Sequence, residues 1–222
     1  MLSRIFSSSV EGIEGYVVSV EVDIIRGWPT FTTVGLPDAA VRESKERVVA
    51  AIRNSGFDIP TRKITVNLAP ASIKKEGPLF DLPIALGMLY GCGILSDGTA
   101  HHDKISQQSS LERGRRFSHR FAAVGELALN GKLRPVRGVL PMALALRKNG
   151  FEEFILPRSN TSEAAIVPGI KIIGADSLKE VAAHLAGENK IPPSGRDKNF
   201  FTKNRKGNLI KNNSCCLSFL RC

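Results

Sequence analysis

The sequence predicts a mixed α/β (α+β) domain over residues 1–187, and three observations predict it. Segments alternating apolar and polar residues at period two crowd the first half. Short apolar strands interleave with helical segments in the second. Between them, over residues 69–91, a polar loop marked by glycine and proline feeds an apolar helix. At 222 residues the chain is long enough to bury a sizeable core.

Residues 16–24 place Val18, Val20, Val22 and Ile24 on one side and Val17, Ser19, Glu21 and Asp23 on the other, the signature of a half-buried strand. Arg26-Gly27-Trp28-Pro29 is a turn, with Trp28 as an edge anchor, and residues 30–34 are expected to return on the first strand as a hairpin. Leu36-Pro37-Asp38 opens a helix whose inward face is Val41, Val48 and Ile52 with Ala40, Ser44 and Ala51. Glu43 and Arg47 sit four residues apart as a favourable pair, and Gly56 ends the helix. Residues 64–68 are a strand, and Asp81 is placed to cap the following helix, with Pro83 in its first turn.

From 96 to 120 periodicity is lost, and a polar surface excursion is expected. His101, His102 and Asp103 lie there without a third distant ligand, so a preorganised metal site is not expected. Arg113, Arg115, Arg116 and Arg120 form a basic cluster that suits a phosphate contact or a solvated loop. Regular structure resumes with a strand at 121–129, an Asn130-Gly131 hairpin turn and a return at 132–136. A helix at 139–146, strands at 153–156 and 170–173, and helices at 159–166 and 177–185 complete the domain. Ile191-Pro-Pro-Ser-Gly then reads as a linker, and residues 188–222 as a basic, disordered tail.

The formal charge of +10 is unevenly placed: from Glu188 onward eight Lys or Arg face two acids. The folded part is therefore only mildly basic, which weakens a reading of the fold itself as a strong nucleic-acid surface. No run of 18 apolar residues and no signal-like leader occurs, so no membrane association and a cytoplasmic location are expected. Cys92, Cys215, Cys216 and Cys222 lack metal-ligand spacing. Gly125 to Lys132 approaches a phosphate-binding loop, but five residues separate its glycines and Leu133 follows the lysine, where a magnesium-binding hydroxyl is required.

Several ordered motifs carry a family resemblance: residues 9–15, 31–48, Asn67-Leu-Ala-Pro-Ala71, Lys74-Lys-Glu-Gly-Pro78 with Asp81-Leu-Pro83, and Gly125-Glu-Leu with residues 133–139. Together they resemble the N-terminal domain of the ComM/YifB magnesium-chelatase-like AAA+ proteins. That resemblance implies a Lon protease-like fold of the ribosomal protein S5 domain 2 type, preceding a ring-forming motor that uses ATP and magnesium in DNA processing, including branch migration during natural transformation. No such cofactor is expected for this chain, where the family pattern fades near residue 190; the tail is expected to arise by truncation or frameshift.

Lon-type proteolysis uses a serine in a loop matching residues 75–80 and a lysine general base after a Pro-x-Gly-Gly turn. Leu79 stands at the nucleophile's position, and Pro135-Val-Arg-Gly138 leads to no lysine. Ser72 with Lys74 or Lys75 is a conceivable substitute pair, but nothing in the spacing fixes their distance. The resemblance thus implies a non-catalytic domain acting in ring assembly, as a homo-oligomer of the longer protein, or in weak DNA contact through Lys74, Lys75, Lys132, Arg134 and Arg137. The alternatives are a piece of an ATP-dependent DNA motor or magnesium-chelatase-like ATPase, and a Lon-like serine peptidase.

Overall fold

Ten residues near the start, Leu2–Glu11, form strand β1, which pairs antiparallel with β2, Glu14–Ile25, from Leu2↔Asp23 to Glu11↔Glu14. The computed structural model describes residues 1–96 and 120–195. In β2 the period-two reading holds: Val18, Val20, Val22 and Ile24 are buried in the core. Strand β1 was not anticipated, because its buried positions include Ser3, Ser7, Ser8 and Ser9 in place of aliphatic side chains. Two of these hydroxyls are satisfied locally, Ser3 Oγ donating to Gly87 O at 2.7 Å and Ser8 Oγ to Tyr16 O at 2.7 Å.

Next come β3, Thr30–Val34; helix α1, Ala39–Asn54; β4, Lys63–Ala69; and helix α2, Asp81–Gly91. Residues 30–34 do not return on β2. They pair in parallel with β4, which itself pairs antiparallel with β2, and β3 is left at the edge of the sheet. Helix α1 explains the difference: a helical crossover between β3 and β4 makes the parallel pairing available, whereas the four-residue turn alone had suggested a hairpin. Trp28 is 86% exposed, so it anchors nothing among the described residues.

The second half supplies β5, Phe121–Ala123; β6, Glu126–Leu127; β7, Leu133–Arg134; α3, Val139–Lys148; β8, Glu153–Pro157; α4, Thr161–Ala164; β9, Lys171–Ala175; and α5, Leu178–Ala186. One mixed sheet of order β3-β4-β2-β1-β5-β8-β9 results, with β6 and β7 as a separate small hairpin. The strand expected at 121–129 is thus broken at Val124-Gly125, and the Asn130-Gly131 turn closes β6 onto β7 with Glu126↔Arg134 and Leu127↔Leu133 in register. The helix expected at 159–166 is shorter, one 3₁₀ turn over Arg158–Asn160 followed by α4.

Each face of the sheet carries its own apolar cluster. One unites α1, α2 and α5 with Val20, Val22, Val66 and Ile155; the other unites α3 and α4 with Ala122, Phe154, Leu156 and Ile172. Ile155 and Leu156 enter opposite clusters, as alternation along a doubly covered strand requires. Helix α2 is buried along its whole length, and a Cβ at Gly87 would lie 2.5 Å from Val22 Cγ2, so glycine lets the helix press onto β2. Residues 188–195 remain attached: Ile191 N donates to His184 Nδ1 at 3.0 Å and Ser194 N to Ile172 O at 2.8 Å.

Among the described residues no helix is long and apolar enough to cross a membrane. His101, His102, Asp103, Arg113, Arg115 and Arg116, with the tail cysteines, lie outside the described residues.

Candidate functional site

Beyond β4 the chain passes a cis Ala69–Pro70 bond into a loop that ends in a 3₁₀ turn, Pro78–Phe80, and then α2. Lysines 74 and 75 fall here, and the fold separates their fates. Lys74 is exposed and meets Glu76 at 2.8 Å. Lys75 has no exposed surface: its Nζ donates to Pro70 O and, at 2.7 Å, to Ile73 O. Burial holds the Lys75 ammonium below the ordinary lysine range. The expectation that Lys75 is a rim contact is therefore corrected; its stem is buried and its head closes the loop on itself.

The loop is also stitched to the start of α1. Lys75 N donates to Leu36 O at 3.1 Å, and Asp38 N to Lys75 O at 3.0 Å. Asp38 caps α1 through Val41 N at 2.7 Å while its other oxygen accepts from Gly77 N at 3.1 Å. Gly35 makes this junction possible: its φ is +94°, and a Cβ there would stand 2.1 Å from Leu68 O.

Asp81 does not cap its own helix. Its carboxylate is fully buried and receives Arg47 Nε at 2.9 Å, Arg47 Nη2 at 3.2 Å and Leu127 N at 3.2 Å. Arg47 is thus engaged across the fold rather than by Glu43, and it also donates to Ala40 O at 3.1 Å. The fork-shaped guanidinium serves both oxygens of a buried carboxylate at once, and away from water those charge-assisted bonds are stronger than to the exposed Glu43. Burial pushes the Asp81 carboxyl up to about 6 although Arg47 and the Leu127 N–H pull it down. The same hydrogen bond raises Arg47, so the pair attracts from both sides; Asp81's net rise is the cost of desolvation, which three donors only partly offset.

Leu79, half-buried against both apolar clusters, occupies the position matched to a nucleophile. Its carbonyl accepts from Gly125 N at 2.9 Å, and Gly125 O accepts from Leu82 N at 3.0 Å. Ser72 is exposed, and no hydrogen bond joins it to Lys74 or Lys75. The region is chemically a brace: α1, α2, the loop and the β6–β7 hairpin meet at Lys75, Asp38 and Asp81.

The phosphate-loop-like stretch fails on its own donors. Gly125 N, Leu127 N, Ala128 N and Gly131 N go to Leu79 O, Asp81 Oδ2, Lys132 O and Ala128 O, while Lys132 N goes to Asn130 Oδ1 and Leu133 N to Asp176 O. A triphosphate cradle needs such N–H groups free, and here they are spent within the fold. Among the described residues no three or more His, Cys, Asp or Glu side chains cluster as a metal ion would require.

Of the other predicted contacts, Lys132, Arg134 and Arg137 are exposed on the hairpin and the turn before α3. Arg134 is held by Glu126 at 3.1 Å. Lys132 and Arg137 have no ion pair among the described residues, and no bond joins them to Lys74. Asp81, Arg47 and Asp38 were missed as a set; a short acidic and a basic residue 34 positions apart leave no local signal.

A family model described as subunit ChlI of Mg-chelatase matches residues 20–160. The competence protein ComM of Haemophilus influenzae is 39% identical over 191 residues, 86% of this chain and 34% of the relative. The uncharacterized protein YifB of Escherichia coli is 36% identical over 190 residues, again 86% of this chain and 34% of the relative. A Lon protease of Salinispora arenicola is 25% identical over 187 residues, 80% of this chain and 22% of the relative. The chain spans about a third of the length of the curated relatives it matches (34%). On the extent of the family match, the chain belongs to the family of the Mg-chelatase subunit ChlI, and ComM and YifB are among its relatives there.

Proposed function

We propose that this chain supplies a non-catalytic domain of a ComM/YifB-type protein, acting in DNA processing by contact rather than turnover. One observation carries the reading: the Lys75 ammonium is buried and directs two of its three donors to Pro70 O and Ile73 O, in a loop whose nucleophile position is held by Leu79. A general base must reach the proton it removes, and an alkyl side chain can neither attack a carbonyl nor lose a proton. The kinship with a competence protein supports the DNA-processing role. ATP and magnesium belong, on this reading, to the parts of the longer relatives that this chain does not cover.

Lys132 and Arg137 are the DNA contacts of the fold, since their charges are exposed and unpaired among the described residues. Two phosphate contacts give weak, salt-sensitive binding: affinity falls about tenfold between about 50 and about 200 mM salt. Assembly into a ring with copies of the longer protein is the second reading, favoured by Ile13, 91% exposed at the tip of the β1–β2 turn. Fluorescence anisotropy of a labelled DNA duplex tests the first. Lys132→Glu with Arg137→Glu should abolish the fold's share of the binding, whereas tight binding at high salt unchanged by both substitutions would contradict it.

A further inference from the structure

The outer edge of the sheet, whose C-terminal end runs into the brace through Leu36 and Asp38, carries a feature the proposed function does not use. Strand β3 has a single neighbour, β4, among the described residues, so one row of its backbone N–H and C=O groups has no strand partner. Edge strands are ordinarily blunted by charge or proline, yet Thr30-Phe-Thr-Thr-Val34 contains neither. Exposed apolar side chains lie on it and beside it: Val34 at 43% within the strand, and Trp28 at 86% and Leu36 at 55% on either side. At its start opens a cavity of about 160 Å³, walled by Phe31, Val49, Ile59 and Ile64 and rimmed by Lys45, Arg53 and Arg62. Lys45, Val49 and Arg53 follow one another at four-residue intervals along α1, so the helix presents a single stripe to the cavity.

We propose that this edge is a docking site for an extended, acidic segment of a partner protein, which adds as a strand to β3 and places one apolar side chain in the cavity. Size chooses the kind of ligand. Small-molecule sites run to roughly 300–1,000 Å³, and the cavity here suits one large side chain. Charge chooses the composition: Lys45 meets only Glu46, at 3.6 Å, while Arg53 and Arg62 have no ion pair among the described residues. A carboxylate on either side of the inserted residue would answer them. A second copy of this chain is disfavoured, because pairing two β3 edges brings like cations together. Nucleic acid is disfavoured because it gains nothing from a bare strand edge or an apolar cavity. Strand addition draws affinity from the ladder and specificity from alternate side chains, and both are provided here.

Selection from a phage-displayed library of random extended peptides on the full chain tests the proposal. Enriched peptides should alternate apolar and acidic residues. The tightest of them should protect backbone amides of Thr30–Val34 from hydrogen exchange and should bind at least about tenfold more weakly to Arg53→Glu/Arg62→Glu. Circular dichroism melting of that variant checks that it is folded. Four results would overturn the proposal: no enrichment, enrichment of basic peptides, amide protection elsewhere, or binding indifferent to both charge reversals. Dimerisation in sedimentation that buries the β3 amides would assign the edge to a second copy, and displacement of the peptide by single-stranded DNA would assign it to nucleic acid; either contradicts the partner proposed.

Discussion

Replacing Arg47 by methionine keeps the length of the stem and deletes the guanidinium. Asp81, with no exposed side-chain surface, then keeps only the Leu127 N–H and loses the two donors at 2.9 and 3.2 Å. Stranding one partner of a buried pair costs about 3–5 kcal/mol, which for a chain of this size lowers the melting temperature by roughly 10 °C. The loss should depend on pH. In the folded wild type burial lifts the Asp81 carboxyl from 3.8 to about 6, so protonation favours the folded state. That contribution is fully present below about pH 4 and is lost as pH rises through about 6, a swing of roughly 2–3 kcal/mol. Without Arg47 the carboxyl rises further, so the variant recovers most of its deficit in acid and shows its full deficit at neutral pH. Asp81→Asn should flatten the dependence in both backgrounds. Urea unfolding followed by far-UV circular dichroism is the assay, since Trp28 is 86% exposed and its emission would report little. A pH-independent loss below about 1 kcal/mol, as for an exposed ion pair, would refute the reasoning.

Lys75→Met should cost about 1–3 kcal/mol near neutral pH, because Pro70 O and Ile73 O lose their donor inside the fold. Burial lowers the Lys75 ammonium, so the folded state holds that proton less well than the unfolded one; wild-type stability gains as pH climbs through the lowered value, and the methionine variant lacks that gain. Denaturant titrations at neutral and alkaline pH compare the two. Gly35→Ala should destabilise by about 3 kcal/mol or more, since φ is +94° and the new Cβ would stand 2.1 Å from Leu68 O; an unchanged melting temperature would contradict the junction described.

Local pattern made much of the fold legible. Val18, Val20, Val22 and Ile24 announced β2, Asn130-Gly131 announced a hairpin, and Ser177 and Gly187 bracket α5 as cap and stop. Strand β1 escaped because hydroxyls satisfied by Gly87 O and Tyr16 O stand in for aliphatic groups at Ser3 and Ser8. Strand β3 was assigned the wrong neighbour because register and direction depend on where α1 lies, which no five-residue segment encodes. At the site, Leu79 was readable as an alkyl replacement, but the environment of Lys75 was not. A lysine in a polar loop predicts exposure, and only the folded loop shows two carbonyls turned inward to meet it. Arg47 likewise had a plausible partner at Glu43, and the choice of Asp81 rests on a tertiary contact between α1 and α2.

On the function proposed, the loop that matches a hydrolytic site braces the fold and activates no nucleophile. Incubating the purified chain with a fluorophosphonate probe and reading adducts by intact-mass and peptide mass spectrometry tests it most directly. No serine should be labelled, and Ser72 should remain as unreactive as in the unfolded chain. Stoichiometric labelling of Ser72 that is lost in Lys75→Met would overturn the non-catalytic reading, because it would show the buried amine working as a base.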